Sequence, residues 1–376
     1  MMIPLSRVSF THNEFNAVKE VLKSGWLTAG PRCRKFEVEF AKYIGTRYAV
    51  SMNSCASALQ LALEAHELKG EVILPSFTFV ASINAVINAG CVPRFVDVEY
   101  NSCNIDPDKL RKAVNDKTVA VMPVHYAGQS CRMDAIGRIA GENRLLIIED
   151  SAEAIGAEYE WQKTGSFGTG CFSFFPTKNI TCGEGGMITT SDERLRDKVS
   201  TFINHGVPRL GSRRRKTEDW HKEALVPGYN FRMTDIQAAL GIAQLERIAE
   251  LNALRRRHAA YLNKHLPGDE LDLPFECAGC THVYQMYTIK LKSKKSSRGS
   301  FLGYLRKKGI HASVHFYPPL HRQKIYKRYR NSLDDLSITE RLSENIVTLP
   351  LYPSLRRCDL DYIVSGVKEG LRKSRE

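Results

Sequence analysis

Lys178 is the residue whose setting most directly implies chemistry. It lies in Phe172-Ser-Phe-Phe-Pro-Thr-Lys178-Asn-Ile-Thr-Cys-Gly-Glu-Gly-Gly-Met187, just past an apolar run and ahead of a glycine-rich turn. A lysine held there is partly desolvated. Burial disfavours the ammonium and favours the neutral amine that condenses with an aldehyde. The glycines let the backbone turn tightly and approach a ligand closely. Taken alone, the same lysine would suit a solvated loop equally well.

A second segment, Leu145-Leu-Ile-Ile-Glu149-Asp150-Ser-Ala-Glu153-Ala-Ile-Gly156-Ala157, ends an apolar run in an acidic pair. A carboxylate at such a strand end can keep the ring nitrogen of pyridoxal phosphate protonated, so that the ring withdraws electrons. It could also be a helix N-cap. A third segment, Asn53-Ser54-Cys55-Ala56-Ser57, sits between a short strand and a helix beginning near Ala56. Amides at a helix N-terminus bind phosphate, and Ser173 could add a hydroxyl. Serine-rich turns of this kind are also common helix caps.

The elements that must position these residues alternate in type. Helical spacing covers Asn13 to Leu22, Ala56 to Ala65 and Val80 to Ala89. Strand-like runs cover Tyr48–Ser51, Glu71–Pro75, Val92–Val98, Thr118–Val124, Leu145–Glu149, Cys171–Phe175 and Gly186–Thr190. This order predicts an α/β fold with a mostly parallel sheet covered by helices on both faces. Ligands of such sheets bind beyond the carboxyl ends of the strands, where Ser54, Ser76, Asp150 and Lys178 all fall. Asp235 to Leu262 reads as one long helix. Beyond it, Val283–Leu291 and His311–Phe316 read as strands, and Arg298–Lys308 and Asp359–Leu371 as helices. The expected division is a large domain, 1–250, and a smaller C-terminal α+β domain, 251–376.

Composition narrows the function classes. The 376 residues are 43% hydrophobic and 25% charged, and no run approaches the ~18 apolar residues that span a membrane. The N-terminus has no apolar stretch ending in a small-residue cleavage site, so the expected location is cytoplasmic. Ten scattered cysteines fit reduced thiols, and the lone Cys277-Ala-Gly-Cys280 lacks the companions of a zinc site, so no metal is expected. The net charge of +13 is spread along the chain apart from Arg213-Arg214-Arg215-Lys216, and no nucleic-acid-binding signature accompanies it. An anionic small substrate explains it as well. Trp26 and Trp161 read as core residues, and Trp220 as a residue of a subunit contact.

In this order, the segments resemble the DegT/DnrJ/EryC1/StrS family of pyridoxal-phosphate-dependent sugar aminotransferases. The resemblance runs from Ser24-Gly-Trp-Leu-Thr-Ala-Gly-Pro31 and Phe36-Glu37 through Pro75-Ser-Phe-Thr-Phe79 and Pro123-Val-His-Tyr-Ala-Gly128. It continues through Glu149-Asp150, the Lys178 segment and Gly228-Tyr-Asn-Phe-Arg-Met-Thr-Asp235-Ile-Gln237, ending at Leu349-Pro-Leu-Tyr-Pro353. It implies the aspartate-aminotransferase type of fold (fold type I) and a homodimer with active sites at the interface. By the same resemblance, Lys178 holds the cofactor and shuttles a proton, Asp150 pairs with the ring nitrogen and Phe79 stacks on the ring. Ser54, Cys55 and Ser173 hold the phosphate, Glu153 lies on the hydroxyl side of the ring, and Asn230 reaches the neighbouring subunit's cofactor phosphate.

One departure falls in the phosphate cradle. Many relatives read Ser-Gly-Thr-Ser where this chain reads Ser54-Cys55-Ala56-Ser57, removing a hydroxyl worth about 1 kcal/mol if nothing replaces it. Dehydratase relatives carry His at the lysine position, so Lys178 implies transamination. His125-Tyr-Ala-Gly and Lys178-Asn-Ile-Thr-Cys resemble the branch acting on 4-keto-sugars carried on UDP or dTDP, with glutamate as amine donor. Amination at C3, or of a cyclitol ketone, is the alternative within enzymes, and a cofactor-binding regulatory protein is the alternative outside them. Arg214 in the basic run could attract a diphosphate, and His315 and His321 could line a sugar pocket. The basic run suits a solvated loop at least as well, and histidines of this kind are more often structural.

Overall fold

A computed structural model describes residues 2–208, 223–292, 297–330 and 335–374. The chain opens with helices α1 (His12–Ser24) and α2 (Pro31–Ile44), each delimited by its own sequence. Thr11 and Glu14 form a capping box at the start of α1, Pro31 opens α2, and Gly25 and Gly45 close the two helices in the left-handed conformation. The sheet region follows as β1 (Tyr48–Met52), α3 (Cys55–Ala65), β2 (Glu71–Pro75), α4 (Val80–Asn88), β3 (Val92–Val96) and α5 (Pro107–Ala113). It continues through β4 (Thr118–Val121), α6 (Met133–Asn143), β5 (Leu146–Asp150), the short strands β6 (Glu158–Tyr159) and β7 (Gln162–Lys163), and β8 (Thr169–Ser173), β9 (Gly186–Thr190) and α7 (Glu193–Phe202).

Seven of these strands form one sheet in the order β1-β9-β8-β5-β4-β2-β3. Only β9 runs against its neighbours, so the sheet is mostly parallel, as the alternation of elements implied. Its strands are buried almost throughout, as parallel strands covered on both faces must be.

The second part begins with α8 (Asp235–Leu245) and α9 (Ile248–His265). A single helix was expected here. It breaks at Glu246-Arg247 because Arg247 and Gln244 turn back to the N-terminal segment, where both reach Glu14 and the Ser9 carbonyl. Apolar periodicity carries no trace of that tertiary contact. Strands β10 (Leu271–Asp272), β11 (Cys280–Thr281) and β12 (Tyr287–Leu291), helices α10 (Arg298–Lys307) and α11 (Ser337–Asn345), β13 (Ile346–Leu349) and α12 (Arg357–Lys373) complete the chain. Strands β10, β12 and β13 form a separate antiparallel sheet, while β11 pairs with β6 of the larger part.

Residues 311–316 form no strand beyond a single bridge from Ser313 to Thr348, contrary to expectation, and Val283–Met286 precede β12 rather than belong to it. The expected division near residue 250 falls at the start of a helix shared by two cores. Ile248 and Leu251 of α9 pack with the sheet region, whereas Ala259 and Leu262 pack with the C-terminal core, which Ile3 also joins. Leu320, Tyr326 and Leu336 return to the core of the large sheet. Trp161 and Trp26 are not core residues. They are 89% and 55% exposed, the former in the tight turn between β6 and β7.

The buried Asp235 carboxylate ties the two ends of the larger part together. It accepts from the amides of Gly30, Arg32 and Cys33 at 2.8, 3.1 and 3.0 Å, satisfying the free N-terminus of α2. Asp235→Ala should lower stability by about 2 kcal/mol, read from the urea midpoint. An unchanged midpoint would show that this cap contributes nothing.

Candidate active site

The strand ends gather the expected residues at one edge of the sheet. Ser54 follows β1 and caps α3, its Oγ accepting from the Ser57 amide at 3.1 Å and contacting Ser57 Oγ at 2.9 Å. The amides of Cys55 and Ala56, first in the helix, have no backbone partner among the described residues and are the free donors of a helix N-terminus that can hold an anion. Gly186, the first residue of the reversed strand, pairs with both Met52 and Ser173. A Cβ on it would stand 2.2 Å from the Ser54 carbonyl oxygen, so only glycine lets β9 pass this close to the cradle. Ser173 ends β8, and its hydroxyl accepts from the Phe175 amide at 3.4 Å.

Asp150 closes β5 and is almost fully buried. Its Oδ2 accepts from Ser82 Oγ at 2.7 Å, and its Oδ1 from the Ala152 amide at 3.2 Å. Ser82 is itself paired with Thr78 Oγ1 at 2.9 Å. Burial is the largest influence on Asp150 and raises its pKa above the ordinary 3.8, although the Ser82 and Ala152 bonds favour the charged form. Such a carboxylate is short of positive charge, which the protonated nitrogen of a heteroaromatic ring supplies.

Next to it, Glu149 is fully buried and accepts from the amides of Gly165, Phe167 and Gly168 and from the His125 ring. The Cys131 amide donates to His125 Nδ1 at 3.1 Å, so Nε2 carries the proton that Glu149 accepts. This pair fixes the loop after β4 against the segment that follows β7.

Lys178 lies in the turn between β8 and β9, its side chain largely buried and its Nζ 3.5 Å from Glu153 Oε1. The other oxygen of Glu153 accepts from the Ala127 amide at 2.9 Å, which fixes its direction. Both Asp150 and the Cys55 thiol lie within electrostatic reach of Lys178, and burial drives that thiol far above its usual range, leaving it protonated and inert. His315 comes into the same group, facing Glu153 and Lys178 with Nδ1 on Thr348 Oγ1 at 2.9 Å. Burial lowers its pKa, so the ring is neutral near pH 7. Phe79, at the start of α4, is 59% exposed, an aromatic face left open at the strand ends where a planar ring would stack.

His321 takes a different place. It is buried with Nδ1 on Ser76 Oγ at 2.7 Å and Nε2 on Glu340 Oε1 at 3.1 Å, so both ring nitrogens serve to hold its segment against β2 rather than to line a sugar pocket. Asn230 is exposed and forms a bridge with Asn204. Arg214, the rest of the Arg213–Lys216 run and Trp220 lie outside the described residues. Ser82 and Thr78 went unnoticed in the sequence, because a serine on a helix two strands away carries no local sign of its carboxylate partner.

The family model of the DegT/DnrJ/EryC1/StrS aminotransferases matches residues 9–368. The chain belongs to that family. SpsC of Bacillus subtilis, a spore coat polysaccharide biosynthesis protein, is 37% identical over 98% of this chain and 96% of its own. Spr1654 of Streptococcus pneumoniae in its PLP form superposes with a TM-score of 0.92 at 28% identity over the whole of both chains. PseC of Helicobacter pylori, an aminotransferase involved in pseudoaminic acid biosynthesis, gives 0.90 at 28% identity over 99% of this chain and 100% of its own.

As a DegT/DnrJ/EryC1/StrS protein, the chain is a sugar aminotransferase of fold type I that uses pyridoxal 5'-phosphate. The residues present fit that cofactor. A buried carboxylate would suit a cationic ring nitrogen, the free amides at the start of α3 beside Gly186 would suit a phosphate, and an exposed aromatic face and a largely buried lysine amine are at hand.

The raised pKa of Asp150 has a measurable sign. The folded protein holds this proton more tightly than the unfolded chain, so ionising the carboxyl costs stability once the pH exceeds its unfolded value. Without cofactor, Asp150→Asn should therefore unfold at a higher urea concentration than the parent at neutral pH, the difference shrinking on acidification toward the ordinary carboxylate range. A variant less stable at neutral pH would contradict this account of the site.

Proposed function

We propose that this aminotransferase moves the amino group of L-glutamate onto a nucleotide-linked keto-sugar, a UDP- or dTDP-4-keto-hexose or -pentose. The products are an amino-sugar nucleotide and 2-oxoglutarate. The observation that carries the reading is the grouping of Lys178, Glu153 and His315 beside Asp150 at the strand ends. The roles of SpsC in spore coat polysaccharide biosynthesis and of PseC in pseudoaminic acid biosynthesis support a sugar acceptor.

Pyridoxal 5'-phosphate, when bound, supplies an aldehyde and an electron-withdrawing ring. Lys178 Nζ would hold that aldehyde and, once released, accept and return a proton between the two carbons that exchange hydrogen. Asp150 would keep the ring nitrogen protonated, Phe79 would cover one ring face, and Glu153 would face the ring hydroxyl. The amides of Cys55 and Ala56, with the hydroxyls of Ser54 and Ser173, would hold the phosphate. Asn230, exposed on this chain, would reach the phosphate bound by a second copy, making the working unit a homodimer. His315, neutral and anchored on Thr348, would meet the sugar. Ten unpaired cysteines fit a reducing compartment, the cytoplasm.

Lys178→Arg should keep the fold and lower turnover by on the order of a thousandfold, since no other side chain can relay the proton at that position. Borohydride reduction of the loaded parent should place the cofactor label on the peptide holding Lys178, and the variant should lose it. Label on another lysine would reject the assignment. The donor and acceptor are tested by release of 2-oxoglutarate from glutamate, followed by mass measurement of the product from a panel of 4-keto and 3-keto nucleotide sugars and cyclitol ketones. Amination of none of the nucleotide sugars would refute the proposed acceptor, and absence of any spectral change with glutamate would refute the donor.

A further inference from the structure

We propose that Cys277 and Cys280 form a thiol–disulfide exchange site that accepts a small-molecule disulfide of the glutathione class and closes reversibly into an intramolecular disulfide. The proposal is independent of the transamination chemistry. It rests on the turn Cys277-Ala-Gly-Cys280, whose Cys280 amide donates to the Cys277 carbonyl at 3.0 Å. Gly279 occupies the third position with a φ of +73°, the left-handed residue of a type II turn. The first and last residues of such a turn have Cα atoms within about 7 Å, and a disulfide requires roughly 4.4–6.8 Å. The turn therefore brings the Cα atoms of the two cysteines into the range from which a disulfide can close.

Both ends of the turn are pinned. The Cys277 amide donates to Gln129 Oε1 at 2.8 Å, Cys280 lies in β11 paired with Tyr159, and the Glu160 amide donates to the Gly279 carbonyl at 2.7 Å. The φ of +73° at residue 279 is one that other residues rarely adopt, so the turn favours glycine.

The pair is also asymmetric. Cys280 is buried, whereas Cys277 is half-buried between exposed neighbours. The Cys280 thiol donates to the Ser130 carbonyl at 3.8 Å. The neighbouring Cys280 thiol lowers Cys277 below the usual thiol range, with Arg132 and Lys290 adding positive charge, while Cys277 raises Cys280. That is the arrangement of an attacking and a resolving thiol. Seven of the other eight cysteines are buried, and Cys358 alone is exposed. Among the described residues no group of three or more metal-ligating side chains includes the pair.

The step balances without an outside oxidant beyond the disulfide itself. The Cys277 thiolate attacks one sulfur of glutathione disulfide, forming a mixed disulfide and expelling one glutathione thiolate. Cys280 then loses its proton to solvent and attacks Cys277 Sγ, expelling the second. The protein loses two hydrogens, and two glutathione thiols leave.

The test treats the full chain with glutathione disulfide, then alkylates free thiols and weighs the peptides. Iodoacetamide labelling of Cys277 should fall by ~10-fold or more, with the 277–280 peptide two hydrogens lighter, and should recover with dithiothreitol. Cys280→Ser should stop at glutathione attached to Cys277, whereas Cys277→Ser should leave Cys280 unreacted. The proposal is overturned if Cys277 reacts no faster than Cys358, if glutathione stays on Cys277 of the parent without closure, or if the pair is protected by zinc taken up from buffer.

Discussion

A carboxylate that the fold buries before anything neutralises it is the constraint on which the site depends. Asp150 ends the strand at the middle of the sheet, where backbone bonds from His125 and to Pro123 fix it and where burial opposes its charge. The protein offers a hydroxyl and an amide, which orient the carboxylate without cancelling it. What completes such a group is a cation that arrives with the ligand, and a protonated ring nitrogen is one. In the proposed role of Asp150, the cost of burying this charge would favour a cofactor that brings a pyridinium, in keeping with the general tendency of shifted pKa values to gather at functional sites.

The rest of the sheet brings the other candidate contacts to the same edge as that carboxylate. Parallel strands present their carboxyl ends on one edge, which brings Ser54, Asp150 and Ser173 together. The reversal of β9 adds something parallel strands cannot. Its amino end lies at the same edge, so the turn from β8 to β9 never leaves the site, and Lys178 is carried on that turn. Gly186 then lets the strand depart directly beneath the phosphate cradle.

Much of this was readable from the residues, because the features concerned are local. An apolar strand followed by Asp, a lysine before a glycine turn and a serine at a helix start are written in consecutive positions, and β1, β2, α3 and α10 lie close to where spacing placed them. What could not be read is what depends on a distant partner. Ser82 looks like any helical serine until β5 is laid beside α4. His321 could be read as a pocket residue or a structural one until its partners Ser76 and Glu340, one on each ring nitrogen, were seen. The break between α8 and α9 answers to Glu14, more than two hundred residues earlier, and Trp161 is exposed because a two-residue hairpin turn has no core to enter.

The same distinction explains why the C-terminal part belongs to the site although few of its residues touch it. Arg255 of α9 is fully buried, and burial alone lowers its pKa to about 10. Its guanidinium donates to the carbonyls of Tyr284, Gln285 and Leu351, gathering the segment before β12 and the loop after β13 onto one helix. Gln285, fixed in this way, donates from Nε2 to the Thr177 carbonyl at 3.0 Å, the peptide that leads into Lys178. Asn179, on the other side of the lysine, donates to Asn252 of α9 and to the Val283 carbonyl. The reactive amine is therefore held from both flanks by the helix that runs between the two cores. Its position follows from the packing of the whole chain and not from the glycine turn alone.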